Sequence, residues 1–369
     1  VVSFEREAWG GGKWVMWAWR GRMLGLDDFT AREVSMIVVT GTNGFIGSNI
    51  VKTLNERGVS DLVVVDDYPE LRGGMASKNV PEKDRYTKDM QVSRWLDLHD
   101  LHAWLETDEA KGGIDGVIHM GACSDTTVAD RDYVMGINLK YTTKLWEWCT
   151  REGVAFVYAS SAATYGDGGH GYSDEVDPVV YKPLNYYGES KHLFDLWALK
   201  QEKTPPRWAG LKFFNVYGQR EQHKGRMASV AYHTYNQIKE TGKMKLFMSH
   251  KEGVDDGCQR RDFVFVDDVV GMTLHFLDTP VSSVAANGLY NVGTGSARTF
   301  LDFAKAVFVA MGLEPKIEII PMPEDLRGKY QYFTQATMQR LLGTGYEEPI
   351  HEIEDGVKKY VAYLDELND

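Results

Sequence analysis

A short β-branched strand that runs directly into three glycines and then a helix constrains this chain more than any other feature. Met36-Ile37-Val38-Val39-Thr40 reads as the strand, Gly41-Thr42-Asn43-Gly44-Phe45-Ile46-Gly47 follows, and Ile46, Ile50, Val51 and Leu54 lay an apolar stripe along a helix predicted over 45–57. The first glycine permits the tight turn, the second lets a pyrophosphate approach the backbone, and the third lets helix and strand pack closely. The phosphate charge then meets the positive end of the helix. Nineteen residues past Gly47, Asp66 ends the next predicted strand, where a carboxylate would bind ribose hydroxyls. This order predicts a dinucleotide site. Asp67 and Glu70 would repel a 2′-phosphate while Arg72 and Lys78 would attract one, so charge leaves NAD and NADP both open.

From Met36 onward, β-branched runs alternate with longer amphipathic stretches, the pattern of βαβ units on a parallel sheet. Strands are expected at 36–40, 61–66, 114–119, 154–159 and 209–215, with helices over 45–57, 93–106, 128–151 and 187–201. The fold class is therefore α/β: a Rossmann-type doubly wound parallel sheet with a smaller α/β substrate-binding domain. Past residue 220 the alternation weakens, through the polar, Gly-rich 249–259 and a return strand at 262–266. The expected division is a dinucleotide-binding domain from 36–220 and 262–292, and a substrate-binding domain from 221–261 and 293–369. Residues 1–35 hold four of the ten tryptophans and three consecutive glycines without a helix or strand period. They read as an N-terminal extension or upstream artefact before a start at Met36, the alternative being an arm that covers a subunit surface.

The charge balance narrows the partners. Fifty-three acidic against 41 basic residues give a net charge of −12, which argues against a nonspecific nucleic-acid binder or a protein drawn to anionic lipid. A small-molecule partner is expected instead. The three cysteines, Cys123, Cys149 and Cys258, have no CxxC spacing and fit a reducing cytoplasm. His99, His102 and His119 lack metal-ligand company, so no metal site is expected.

The chemistry is carried by two motifs in order. Ser160-Ser161-Ala162-Ala163-Thr164-Tyr165-Gly166 follows the strand at 154–159, and a serine hydroxyl at the carboxyl end of a parallel strand is placed to bond a reacting oxygen. Tyr187-Gly188-Glu189-Ser190-Lys191 then puts Tyr187 and Lys191 on one helix face, where the ammonium is expected to depress the phenol pKa so that the phenolate accepts a proton from an alcohol losing hydride. Phe214-Asn215-Val216-Tyr217-Gly218 ends the next strand. In the charged run after it, Lys224 offers a second proton carrier. Arg260 and Arg261 offer guanidinium groups for a diphosphate.

Together with Gly121-Ala122-Cys123-Ser124-Asp125-Thr126-Thr127, His223-Lys224-Gly225 and Gly328-Lys329-Tyr330-Gln331, these segments resemble the ADP-L-glycero-D-manno-heptose 6-epimerase family of extended short-chain dehydrogenase/reductases. The likeness runs from Met36 to the C-terminus. It implies a cytoplasmic isomerase of lipopolysaccharide-core precursor synthesis that inverts C-6 of the heptose by transient oxidation and re-reduction. The resemblance makes Tyr187 and Lys224 the acid/base pair, gives Ser161 the orienting of the oxygen, and has Lys191 support cofactor and phenolate. Gly41, Gly44, Phe45, Ile46, Gly47, Asp66, Asp67, Met120, Gly121, Ala122, Cys123, Ser124, Asn138, Lys191, Val216 and Lys224 would bind the cofactor. Asn215, Arg226, His233, Phe247, Arg261 and Tyr330 match substrate-contact positions. The chain departs from the family pattern at position 226, where a serine is more familiar, and in a longer stretch from Phe247 to Arg261. The resemblance implies NADP, with NAD the alternative, and a homo-oligomer, a pentamer. The rival readings are a UDP-hexose 4-epimerase, which uses the same Ser, Tyr and Lys, and a nucleotide-sensing scaffold protein without turnover.

Overall fold

The computed structural model describes residues 36–74, 77–81, 84–278, 287–327 and 330–367. The extension read over 1–35, and Gly328 and Lys329, lie outside them. In chain order the strands are β1 (Met36–Thr40), β2 (Leu62–Asp66), β3 (Arg94–Asp97), β4 (Ile114–His119), β5 (Ala155–Ser161), β6 (Trp208–Phe213), β7 (Asn215–Tyr217), β8 (Met244–Phe247), β9 (Arg260–Arg261), β10 (Phe263–Phe265), β11 (Gly288–Val292), β12 (Arg298–Thr299) and β13 (Ile317–Ile320). The helices are α1 (Phe45–Glu56), α2 (Leu101–Trp104), α3 (Arg131–Met135), α4 (Tyr141–Glu152), α5 (Tyr186–Ala198), α6 (Val230–Thr241), α7 (Val266–Asp278), α8 (Phe300–Ala310), α9 (Glu324–Arg327), α10 (Gln339–Leu342) and α11 (Ile353–Glu366).

Seven strands form one parallel sheet in the order β11-β6-β5-β4-β1-β2-β3, so the direction of winding reverses between β1 and β4. Successive β1 residues point to opposite faces, and each face has its own core. Ile37 and Val39 pack with α1 residues Ile50 and Leu54 and with α7. Val38 packs on the other side with Trp146 of α4 and Phe194 of α5. Each fully buried valine or isoleucine contributes about 1.5–3 kcal/mol through the surface it removes from water. Beyond the sheet, three two-stranded ladders (β7 with β10, β9 with β12, β8 with β13) sit with α6, α8 and α11.

Three expected elements come out differently. The helix read over 93–106 is instead edge strand β3 followed by the single turn α2, because Trp95 and Leu96 are buried in the cores on opposite faces, a period of two rather than 3.6. The helix read over 128–151 starts at Asp130, whose carboxylate caps Tyr133 N–H, and widens into a π turn at Gly136–Lys140 before continuing as α4. The strand read over 209–215 stops at Phe213. There the chain changes partners: Phe214 N–H bonds Val292 O at the sheet edge, whereas Asn215 N–H bonds Asp262 O beside β10.

Candidate active site

The chain leaves β1 for α1 on one face of the sheet and β4 for α4 on the other, and such a reversal is where an open parallel sheet presents a crevice. The glycine turn is held there by backbone packed on backbone. A Cβ on Gly41, whose φ is +74°, would lie 2.6 Å from Gly121 N, and one on Gly47 would lie 2.2 Å from Gly41 O. Gly44 caps α1 without a side chain and no acid stands in the first helical turn, so the helix's positive end is left free for an anion. The glycine spacing, the uncapped helix end and the acid at the end of β2 fit a dinucleotide.

The turn forms part of the wall of a cavity of about 930 Å³. Of the sequence-predicted residues, the cavity brings together Gly41, Gly44, Phe45, Ile46, Gly47, Asp66, Asp67, Met120, Gly121, Ala122, Cys123, Ser124, Ser161, Tyr187, Lys191, Asn215, Val216 and Lys224. Asn138 stands behind this wall. From the π turn, its side chain accepts from Cys123 N–H (2.8 Å) and donates to Cys123 O (2.9 Å), so it holds the 120–124 loop rather than facing the cavity.

Ser161 ends β5, and its Oγ accepts Ala163 N–H at 3.1 Å, which leaves its own proton free for the Tyr187 oxygen. Asn185 caps α5 by accepting Gly188 N–H at 2.8 Å and so fixes the start of the helix that carries Tyr187 and Lys191. The expected depression of the phenol pKa is not what this arrangement produces. Burial raises Tyr187 above its ordinary value, the Ser161 hydrogen bond opposes the rise, and the Asp195 charge adds to it. Lys191 is itself pulled down to about 8 by burial, with Asp195 one helical turn further on favouring its ammonium. Asp195 is shared beneath the site. It pairs with buried Lys212 at 2.6 Å and accepts from Ser160 Oγ (2.7 Å) and Tyr158 OH (2.9 Å).

Lys224 enters from another wall. Its Nζ lies 5.5 Å from the centre of the Phe45 ring, burial lowers its pKa, and Glu221 opposes that shift. At the acid end, Asp66 accepts Asn43 N–H at 2.7 Å and Asp67 N–H at 2.8 Å, while Asp67 is paired with Arg72 at 2.8 Å. Asp67, Asp97 and His99 gather ligand atoms within 4.8 Å of one another. Buried Asp97 is already occupied by Tyr68 N–H, His99 and Arg72.

The expected substrate residues separate into three places. Asn215 is on the cavity wall. Arg226 is 73% exposed and turns towards Thr127 Oγ1 (2.6 Å) and Asp125, and His233 bonds the Arg226 carbonyl at 3.3 Å. Arg261 stacks over Tyr330 and Phe300, with Phe247 against Tyr330; of these only Phe300 reaches the wall. Sequence reading missed Arg85, Phe263 and Phe300, which line the cavity. Arg85 binds both the main-chain and side-chain oxygens of Asn43, yet nothing in its own segment marks it; the alternation at 262–266 did point to a buried strand there.

A profile of the NAD dependent epimerase/dehydratase family matches residues 37–293. The ADP-L-glycero-D-manno-heptose-6-epimerase of Fusobacterium nucleatum is 47% identical over 335 residues, covering 88% of this chain and 97% of that protein. Among solved structures, the Helicobacter pylori ADP-L-glycero-D-manno-heptose-6-epimerase superposes with a TM-score of 0.70 at 27% identity, over 90% of this chain and 97% of the other. The Thermus thermophilus UDP-glucose 4-epimerase, solved as a complex with NAD, gives 0.64 at 27% identity over 89% and 99%. With its glycine turn, its Ser-Tyr-Lys set and relatives matched over nearly their full length, the chain belongs to the NAD-dependent epimerase/dehydratase family and, within it, to the ADP-L-glycero-D-manno-heptose 6-epimerases.

Proposed function

We propose that this protein inverts C-6 of ADP-D-glycero-D-manno-heptose to give ADP-L-glycero-D-manno-heptose, using NADP and the residue set Tyr187, Lys224, Ser161 and Lys191. The observation that carries the reading is that all four face one cavity together with the glycine turn. A bound nicotinamide dinucleotide supplies a reversible hydride acceptor. Tyr187 takes the hydroxyl proton in one arrangement of the sugar, and Lys224, on a separate wall, serves the other. Ser161 donates to the reacting oxygen, and Lys191, one helical turn from Tyr187, is assigned to support cofactor and phenolate. Two proton carriers on different walls let each arrangement of the planar ketone meet its own acid/base group, whereas a one-base 4-epimerase or a scaffold without turnover has no use for Lys224. Asn215, Arg226, His233, Phe247, Arg261 and Tyr330 are assigned to the substrate. The division into 36–220 with 262–292 for the dinucleotide, and 221–261 with 293–369 for the sugar, belongs to the same proposal, as do a cytoplasmic location and a pentameric homo-oligomer.

NADP is favoured because Arg72 neutralises Asp67 and, with Arg85 and His99, adds basic groups to the wall around Asp66; Lys78 does not reach it. NAD is the second reading, since the related Thermus thermophilus 4-epimerase was solved with it. Release of the bound nucleotide and mass analysis separates the two, and NAD alone would overturn the choice. For the reaction, the purified protein is given ADP-D-glycero-D-manno-heptose and, separately, UDP-glucose, and product stereochemistry is read by NMR. Turnover of UDP-glucose alone would defeat the proposal. Lys224→Ala is expected to lower kcat on the heptose by about 10²–10⁴-fold.

A further inference from the structure

We infer that Glu221 is a positioning residue for Lys224: its buried carboxylate fastens together the two ends of the turn that carries the lysine. The inference rests on the reading of Lys224 as an acid/base group and explains how this chain would hold it in place.

Glu221 is wholly buried and does not line the cavity, so it is not placed to touch substrate or cofactor. Its Oε1 accepts Gly218 N–H at 3.3 Å, just before the turn, and Ser229 Oγ–H at 2.6 Å, just after it. Its Oε2 accepts Ser229 N–H at 2.5 Å, and its main-chain carbonyl accepts Lys224 N–H at 2.9 Å. One side chain therefore closes the stretch from Gly218 to Ser229 into a ring with Lys224 on its rim. Ser229 is also the cap of α6, so the ring is anchored to a regular element.

The backbone within the ring is one that a free segment would not hold. Gly218 and Gly225 have φ of +144° and +52°, and Arg220 has φ of +70°, the sole positive value for a non-glycine among the described residues. A left-handed arginine is strained and persists only where its surroundings over-determine it. Arg220 is tied by its guanidinium to Ser48 O on α1 at 2.9 Å, and Glu221, next in the chain, supplies the inner tie. A buried carboxylate is costly, and packing alone would be served by an apolar residue. What a carboxylate adds is acceptor capacity for three donors from both ends of the turn, and a negative charge three residues from an ammonium that burial disfavours.

The test is a double-mutant cycle on the full-length protein with ADP-D-glycero-D-manno-heptose. Glu221→Gln keeps the size of the side chain but sets an amide NH₂ against an N–H donor, which loosens the ring. It is expected to lower kcat by about tenfold to a hundredfold with little change in KM, the scale of effect that misplacing a reacting group produces. In a Lys224→Ala background the same change is expected to alter kcat by less than about twofold, because the group it acts through is gone. Equal losses in both backgrounds, or a wild-type kcat for Glu221→Gln, would overturn the inference. A Lys224→Ala enzyme with undiminished turnover overturns the reading of Lys224 itself, which is a separate and recognisable result. If Glu221→Gln yields no folded protein, Ser229→Ala, which removes one of the three donors, goes through the same cycle under the same criteria with a smaller expected loss.

Discussion

The glycine turn from Gly41 to Gly47 and the turn from Gly218 to Ser229 face the same cavity, but they are kept in shape by different means. In the first, the glycines rest main chain on main chain, Gly41 against Gly121 and Gly47 against Gly41, with Asp66 and Arg85 tying Asn43 between them. In the second, side chains reach in from elsewhere or fold back: Asn49 Nδ2 donates to Gln219 O (2.9 Å), Tyr86 OH meets His223 Nδ1 (3.0 Å), and Glu221 spans both ends. The first carries its glycine spacing in seven consecutive residues, and Gly121 packs on it from the end of β4. The second needs α1, the loop at Asp84–Thr87 and the start of α6 to be in place before it has a shape. A turn shaped by close glycine contacts is marked by its own spacing, whereas the arm that carries Lys224, the proposed second proton carrier, takes its shape from side chains of distant segments.

The comparison is open to three tests, from the largest expected effect to the smallest. Gly47→Val adds a branched side chain where even a Cβ meets a carbonyl oxygen at 2.2 Å, so the glycine turn cannot close. No soluble folded protein is expected, and a cooperative melt near the wild-type Tm would show that the turn is less locally determined than argued. The second test concerns Lys191, on the wall that both turns face. Its folded pKa, about 8, lies below the ordinary 10.5, so the unfolded chain binds more protons between those values and stability due to this group rises with pH. In the ligand-free protein, wild type should gain about 2 kcal/mol on Lys191→Met between roughly pH 7.5 and 9.5, measured by denaturant unfolding. A flat difference would mean that the ammonium is better solvated than its burial implies.

The third test separates the turns. Asn49→Ala removes a donor shared between Gln219 O in the second turn and Phe45 O at the end of the first, both at 2.9 Å, and is expected to cost about 1–2 kcal/mol of stability. Phe45 belongs to the regular helix α1 whereas Gln219 lies in a turn outside any helix or strand, so the loss is expected to fall on the second turn: nucleotide affinity should change little while kcat falls. An equal loss in both would show that the two turns move as one.

Much of this was legible beforehand. β1, β4 and α1 were readable because period and composition are local properties, and Tyr187 and Lys191 because helical spacing alone puts them on one face. Ser161, Cys123 and Lys224 fell on the cavity wall where the motifs indicated. β3 was misread as helix, since its alternation is only four residues long and its partner β2 is some thirty residues away. Asn138 was placed against the cofactor but supports the 120–124 loop from behind, a distinction that depends on the π turn rotating its side chain. Arg85 and Phe300 carry no motif. They reach the wall through contacts across more than forty residues or through a ladder between β9 and β12.

The sequence by itself determined the parallel sheet, the glycine turn and which side chains are proposed to react, because each follows from backbone conformations and spacings within a few residues. Tertiary structure alone decided the protonation balance at Tyr187 and Lys191, the partners of Asp195 and Glu221, and which arginines face the cavity. Those depend on desolvation and on which donors arrive from distant segments, and neither exists until the chain has closed around them.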